Sequence, residues 1–501
     1  MRNWRAAFER AMRNEAQLMG ILFGILTFVA ILSSAFASPH LGTVDSGKYE
    51  RIMDSVGLGY TEQQQMEEDL MYTRVLENYE YTHFSYAKLL TPTRSGSILY
   101  PIALIRALTQ LLGLGFSTIY LLLLYAVLAA LGVYMIVRSA AFMWGRHGVI
   151  LGAVLLLLFA DRNLTAYFSS LYETGTLIVA LTLFGGCVLR GFTYRRGGGA
   201  GIIWPVLLSS LFLLNASARA VIFVPVAVVS VVGLAIREWE SIRGRKRQIA
   251  AMATLMLCAV YSSQGYFVTD PDNISNAAVY HAVFQSILPA SEDPEADLLE
   301  LGLDASYMED IGKSFYQNSG EYAHDPKDAK EAERIFSALD TKKVVLWELR
   351  HPLKFLRTVL RTASGMNTLE TGWVLGVGQS ALSNERVSRS NSLIDSLARM
   401  LLPEGYGFFL ITAGIALLAS VGLLAFRLRR RNAGESVWIE PVILICFIAA
   451  AAGYLPLHIA LAGSDSLEFD RIISVFCLIG VIEAFFFPKC GCCQCGNQYV
   501  G

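Results

Sequence analysis

Charge is what this 501-residue chain has least of. Only 17% of its residues are Asp, Glu, Lys or Arg, against 54% apolar, where soluble proteins carry about 25% charged residues. So little polar surface cannot cover a water-soluble fold of this length, and so much apolar content excludes an intrinsically disordered one. Net charge is also nearly absent, at −1. That excludes the basic field of a nucleic-acid-binding protein. Two long hydrophilic segments, 39–115 and 267–405, lack cysteine altogether, so no disulfide framework holds them. Internal repeats of 20–50 residues and Pro/Ser-rich linkers are missing too.

Long apolar runs are what remains. A bilayer core of about 30 Å needs roughly 20 apolar helical residues. Such windows fall at 17–38, 116–137, 146–160, 172–189, 201–217, 220–236, 249–267, 406–426, 437–457 and 472–487. The third and last are short. The reading is an all-α polytopic membrane protein of about ten transmembrane helices.

Basic residues cluster in alternate short connections: Arg2 to Arg13, Arg138 and Arg146, Arg190 to Arg196, Arg237 to Arg247, and Arg427 to Arg431. With ten spans, the positive-inside rule puts both termini in the cytoplasm. The expected organisation is then a cytoplasmic N-terminus (1–16), a first span (17–38) and a first outer segment (39–115). Spans two to seven (116–266), a large outer helical domain (267–405), spans eight to ten (406–487) and a cytoplasmic Cys-rich tail (488–501) follow. Ser34-Ala35-Phe36-Ala37 resembles a signal-peptidase site, but the long apolar core and the many later spans argue for a retained helix. Within the outer segments, 61–83 reads as an acidic surface helix. Residues 98–113 read as a helix lying in the outer interface, with Arg106 and Gln110 on an apolar background. In 326–362, Ile335, Leu339, Val344, Val345 and Leu349 recur at helical spacing.

Ionisable groups avoid the middle of the spans and gather at the outer ends. Asp45, Lys48, Arg51 and Asp54 follow span one, and Asp161 and Arg162 follow span three. Tyr172 and Glu173 open span four, Arg219 opens span six, and Asp465, Glu468, Asp470 and Arg471 precede span ten. An ion-coupled transporter needs such groups near the midplane, commonly on broken helices of inverted repeats. A membrane O-acyltransferase would be expected to bury a histidine mid-span, and none reads as such. Polar groups at one depth suit an enzyme acting on a lipid head group, although each alone also serves as a helix-end anchor.

Three stretches resemble a known family. They are Gly42-Thr-Val-Asp-Ser-Gly-Lys-Tyr-Glu-Arg-Ile-Met-Asp-Ser-Val-Gly-Leu58, the outer run from His281 to Asp304, and His351-Pro-Leu-Lys-Phe-Leu-Arg357. With Ser170-Leu-Tyr-Glu-Thr174 and Asp470-Arg471, they resemble WsfD-like glycan-biosynthesis hexose transferases. The resemblance implies a GT-C-like membrane glycosyltransferase with a carboxylate in its first outer loop. Such an enzyme would take a hexose from a polyprenyl-phosphate donor and pass it to a glycan acceptor of the bacterial cell envelope, outside the inner (cell) membrane. Thr371 to Gly378 is less polar than the corresponding stretch of that family, and the Cys-rich tail is not a feature of it.

Transfer to a hydroxyl needs a base and stabilisation of a leaving phosphate. Asp45 is the candidate base, with glycines 42 and 47 to turn it toward the membrane; the alternative is a helix cap for 46–55. Arginines, with their planar donor forks, suit the phosphate: Arg219 and Arg471 first, then Arg51 and Arg162. Arg471 can instead pair with its neighbour Asp470. Tyr172 and Glu173 can bind sugar hydroxyls or orient an arginine, or Glu173 can form a buried pair with Arg162 or Arg219. Asp54 is a second carboxylate, a ligand for a divalent metal, or part of a solvated face. No cofactor is assigned: a divalent metal stays an open option, since a single Asp does not make a metal site. His281 reads as a surface or core residue. The partners expected are the lipid-linked donor, the acceptor glycan and membrane lipids, with no nucleic acid. The other class of function is a lipid-linked glycan transporter or a non-catalytic subunit of an envelope assembly complex.

Overall fold

The computed structural model describes residues 2–38, 40–45, 49–61, 75–89, 96–145, 148–193, 199–269, 276–315, 319–363, 374–376, 405–429, 439–463 and Cys477. It is an all-α polytopic membrane protein. Seven helices among the described residues are long and apolar enough to cross a bilayer, or eight if a bent pair counts as one span. Apart from Cys477, the tenth expected span lies outside the described residues, as do Asp470, Arg471, Glu483, Lys48 and the Cys-rich tail.

Helix α1 (Arg2–Ala35) packs along α4 (Thr118–Trp144), and α4 packs along α7 (Glu173–Thr193). Between them come α2 (Tyr49–Val56), α3 (Leu99–Leu111), α5 (Gly148–Phe159) and α6 (Arg162–Ala166). Helices α8 (Ala200–Leu214), α9 (Val224–Arg237) and α10 (Lys246–Thr269) follow α7. The second hydrophilic segment holds α11 (Pro294–Leu301), α12 (Ala329–Ala338), α13 (Thr341–Arg350) and α14 (Pro352–Thr362). Then come α15 (Tyr406–Arg429) and α16 (Ile439–Ala462).

The lengths of the shorter helices have local causes. The expected third span, 146–160, forms as α5 and stops where expected, because Asp161 accepts hydrogen bonds from the backbone N–H of Asn163 (2.9 Å) and Leu164 (3.2 Å) and starts α6. Helix α5 is thus 12 residues long, about 18 Å at 1.5 Å per residue, and the chain turns by 61° into 162–169. The expected fifth span is the 15-residue α8. A 3₁₀ turn at Ala218–Phe223 then leads into α9.

Short strands join the hydrophilic parts. β1 (Leu41–Thr43) pairs antiparallel with β5 (Val374–Gly376), setting Thr43 opposite Val374. β2 (Leu58–Gly59), β3 (Asn78–Tyr81) and β4 (Phe116–Ser117) form a second sheet in that order. Of the expected helix over 61–83, residues 62–74 lie outside the described residues, and 78–81 form a strand instead. Its alternating aromatics suit a pleated surface, with Tyr79 buried against Phe116. Gly42 lies in β1 rather than in a turn, and its lack of a side chain makes room for Val75, whose Cγ1 sits 2.3 Å from where a Cβ would be. Gly47 lies outside the described residues.

Helix α3 forms as expected, with exposed apolar residues Tyr100, Leu104, Leu108 and Leu111 along one face. Arg106 does not join that face. It is buried beneath the helix, where it donates to the carbonyls of Gly57 and Thr82, each at 3.2 Å, and lies over Phe84. In the second segment, Ile335, Leu339, Val344 and Trp347 form a core with Tyr280, Phe284 and Leu298. Leu349 points outward, 72% exposed. Asp328 and Asp340 cap α12 and α13 through the N–H groups of Lys330, Glu331 and Lys343.

Candidate functional site

The polar residues at one end of the helix bundle converge on the segment 43–61. Asp45 is buried just after β1. Its Oδ1 accepts the N–H of Tyr49 at 3.2 Å, the first residue of α2, and its Oδ2 accepts the hydroxyl of Tyr60. Asp45 thus accepts from the first turn of α2, as the cap reading expects.

Tyrosines wall this carboxylate. Tyr49 shares a 2.7 Å hydrogen bond with Thr43 Oγ1 and stacks edge-on with Tyr172 at 4.9 Å. Tyr172 is buried and donates to the carbonyl of Val44 at 2.8 Å, so it positions the residue before Asp45. Tyr60 and Tyr79 lie ring against ring at 6.1 Å. Burial pushes the phenols of Tyr49 and Tyr79 well above their ordinary value. They stay protonated at any physiological pH.

Arg51 lies on α2, beyond Asp45, and pairs with Glu173 at 3.2 Å. Glu173 is the first residue of α7, and its Oε1 also accepts the hydroxyl of Tyr266 from the end of α10. Arg51 donates to that hydroxyl at 3.4 Å, with its guanidinium 5.9 Å from the Tyr266 ring centroid. All three side chains are linked, and the Arg51 and Glu173 side chains keep 28% and 21% of their surface. The ion pair of Glu173 therefore includes Arg51, which the sequence had not offered as its partner.

The remaining candidates divide. Arg162 donates to the carbonyl of Ala37 at 3.0 Å, and Ser34 donates to that of Ala160, which together fasten α1 to the bend before α6. Arg219 is buried in the 3₁₀ turn after α8. Its neighbourhood reaches the Tyr266 cluster through Asn215, which accepts from Ser262 of α10 at 2.8 Å and whose carbonyl accepts the Ser97 N–H. Asp54 faces away from Asp45, in a 2.6 Å salt bridge to Lys88 with 56% of its side chain exposed. Asp470 and Arg471 lie outside the described residues. Among the described residues, no group of three or more His, Cys, Asp or Glu is placed to hold a metal ion.

His281 is a core residue, accepting the Phe315 N–H at Nε2 (2.8 Å) within the π-helical turn His281–Ile287. His458 corrects the reading of the spans. Helix α16 continues to Ala462, past the expected end at 457, and His458 is completely buried near that end.

The chain matches the family model of the YfdI N-terminal transmembrane domain over residues 4–471. It belongs to that family. Among curated proteins and solved structures, none matches. The family match takes in both hydrophilic segments as well as the spans. The cluster around Asp45 and the Arg51–Glu173–Tyr266 triad are thus part of the domain itself.

Sequence reasoning missed Tyr60 and Tyr266. A tyrosine among apolar residues carries no local mark of function, and its partners lie 15 and 93 residues away.

Proposed function

We propose that this protein is a GT-C-like hexosyltransferase of the bacterial cell membrane. It would transfer a hexose from a polyprenyl-phosphate donor to a cell-envelope glycan on the outer face, with both termini in the cytoplasm. The observation that carries the reading is the buried Asp45 carboxylate at the end of the first span, oriented by Tyr49 N–H and Tyr60 O–H, with Arg51 on the adjoining helix. The likeness of 42–58 to WsfD-like hexose transferases supports the same assignment.

Asp45 takes the proton of the acceptor hydroxyl as the new glycosidic bond forms, while the bond from the sugar to the carrier phosphate breaks. The leaving phosphate gains negative charge. Arg51 meets that charge, held in place by Glu173 and Tyr266, and Arg219 adds positive charge from the neighbouring turn. The tyrosine wall excludes water that would otherwise compete for the sugar.

The test is transfer in membranes supplied with radiolabelled polyprenyl-phosphate hexoses. Wild type should move label into glycan, and Asp45→Asn should lose at least about 100-fold of that rate, as expected for a missing general base. Asn keeps an acceptor oxygen for the Tyr49 N–H, so the protein should remain inserted and folded. An active Asp45→Asn protein would leave Asp45 as a helix cap only. Absence of transfer by wild type with every donor would turn the reading toward a lipid-linked glycan transporter or a non-catalytic assembly subunit.

A further inference from the structure

Helices α13 and α14 carry a row of leucines that no described part of the chain covers. Leu346, Leu349, Leu353, Leu356 and Leu360 are 44%, 72%, 80%, 42% and 41% exposed. Their spacing of three or four residues sets Leu346 and Leu349 on one face of α13, and Leu353, Leu356 and Leu360 on one face of α14.

The rotation of this helix pair is set from its other flank. His351 meets Glu300 at 2.9 Å, Lys354 meets Asp297 at 2.6 Å, and Arg357 meets Glu292 at 2.8 Å. Arg361 donates to the carbonyl of Pro289, and Trp347 donates through Nε1 to Glu300 at 3.0 Å. These ties run beside the leucine stripe, offset by one residue. They hold the polar flank of α13 and α14 against 289–300 and leave the leucines turned out.

The position of the stripe says what lies over it. Leu360 Cδ2 sits 3.7 Å from where a Cβ of Gly407 would be, in the first turn of the membrane-spanning α15. Helix α13 packs against α16, and α14 packs against both α15 and α16. The helix pair therefore lies across the ends of two spans, and its apolar row is continuous with their lipid-facing surface.

We propose that the leucine row of α13 and α14 is a membrane-docking surface, seated in the phospholipid leaflet at that end of the bundle. Its occupant is the bilayer itself, at the boundary of head groups and acyl chains. Docking there fixes the height of the second hydrophilic segment above the membrane and, through β1 and β5 (Thr43 opposite Val374), faces it toward Asp45. This inference does not depend on the transferase reading.

The test places a benzophenone-bearing phenylalanine, one at a time, at 353, 356 and 360 of the full chain. The protein is reconstituted in phosphatidylethanolamine–phosphatidylglycerol vesicles, irradiated, and its adducts identified by mass spectrometry. Position 418 in α15, 73% exposed, marks lipid contact; position 299 in α11, 59% exposed, marks the water-facing side. Lipid adducts at 353, 356 and 360 should approach those at 418 and exceed those at 299 at least tenfold. Three outcomes overturn the proposal: adducts to another segment of this chain, adducts to a second copy of it, or lipid yields no higher than at 299 while 418 reacts.

Discussion

Asp45 and Asp310 are both buried carboxylates, one in each hydrophilic segment, and they are held in different ways. Asp310 is satisfied by its own loop: Lys313 Nζ at 2.8 Å, the N–H groups of Ala323 and His324 at 2.8 and 3.0 Å, and His324 Nδ1 at 3.1 Å. Burial alone would raise its pKa, but these donors outweigh it and hold the carboxyl below its ordinary value. Asp45 takes one donor from the helix that follows it and another from Tyr60, and the strand just before it pairs with residues more than 300 positions away. A carboxylate wrapped by its own loop builds that loop. Asp45 instead ties together segments that lie far apart in the sequence.

Substitution should separate the two roles. Asp45→Asn should remove transfer with little change in unfolding. Asp310→Ala should do the reverse, leaving two backbone N–H groups and a lysine without their acceptor. That should cost about 3 kcal/mol of stability, read as a lowered thermal-unfolding midpoint, with transfer retained below it. The stability that Asp310 contributes is present above the ordinary aspartate range and lost as pH falls through its lowered folded value. An acid unfolding limb that Asp310→Ala leaves unchanged would count against this role.

Glu348 sharpens the comparison from the opposite direction. It is buried on α13, and burial raises its carboxyl to about 8. The folded state therefore holds a proton that the unfolded chain releases near pH 4.5. Stability should fall as pH rises from about 4.5 to about 8 and level off beyond. Glu348→Gln should flatten that slope and stabilise the protein at pH 7 by about 3 kcal/mol. The check is chemical unfolding of both proteins at pH 5, 7 and 8.5. A parallel slope in the two would show that Glu348 is already charged in the fold.

Much of this was legible because hydropathy and helix punctuation are local. The long spans and the helix at 98–113 follow from residues within a few turns of one another. The misreadings arise where distant partners decide. Arg106 read only as a polar residue on an apolar interfacial helix, yet two loop carbonyls at Gly57 and Thr82 draw it inside. The run ending at Tyr81 looked helical, yet pairing with Leu58 and Phe116 makes it a strand. Of the candidate site, Asp45, Arg51, Tyr172 and Glu173 were visible as polar groups at one depth. Which of them touch, and that Tyr60 and Tyr266 join them, depends on contacts across the bundle that no local pattern encodes.

The smallest expected effect lies nine residues from the largest. Asp54 sits on the same short helix that Asp45 caps, but on its solvent side, bridged to Lys88 with both side chains more than a third exposed. Water screens such a pair, and holding two flexible side chains together offsets most of its Coulomb gain. Asp54→Asn should change stability by less than about 0.5 kcal/mol and leave the transfer rate within about twofold of wild type. The same membrane assay used for Asp45→Asn measures it. A large loss of transfer would place Asp54 in the site as a second carboxylate or a metal ligand, and α2 would then contribute both of its faces to the chemistry.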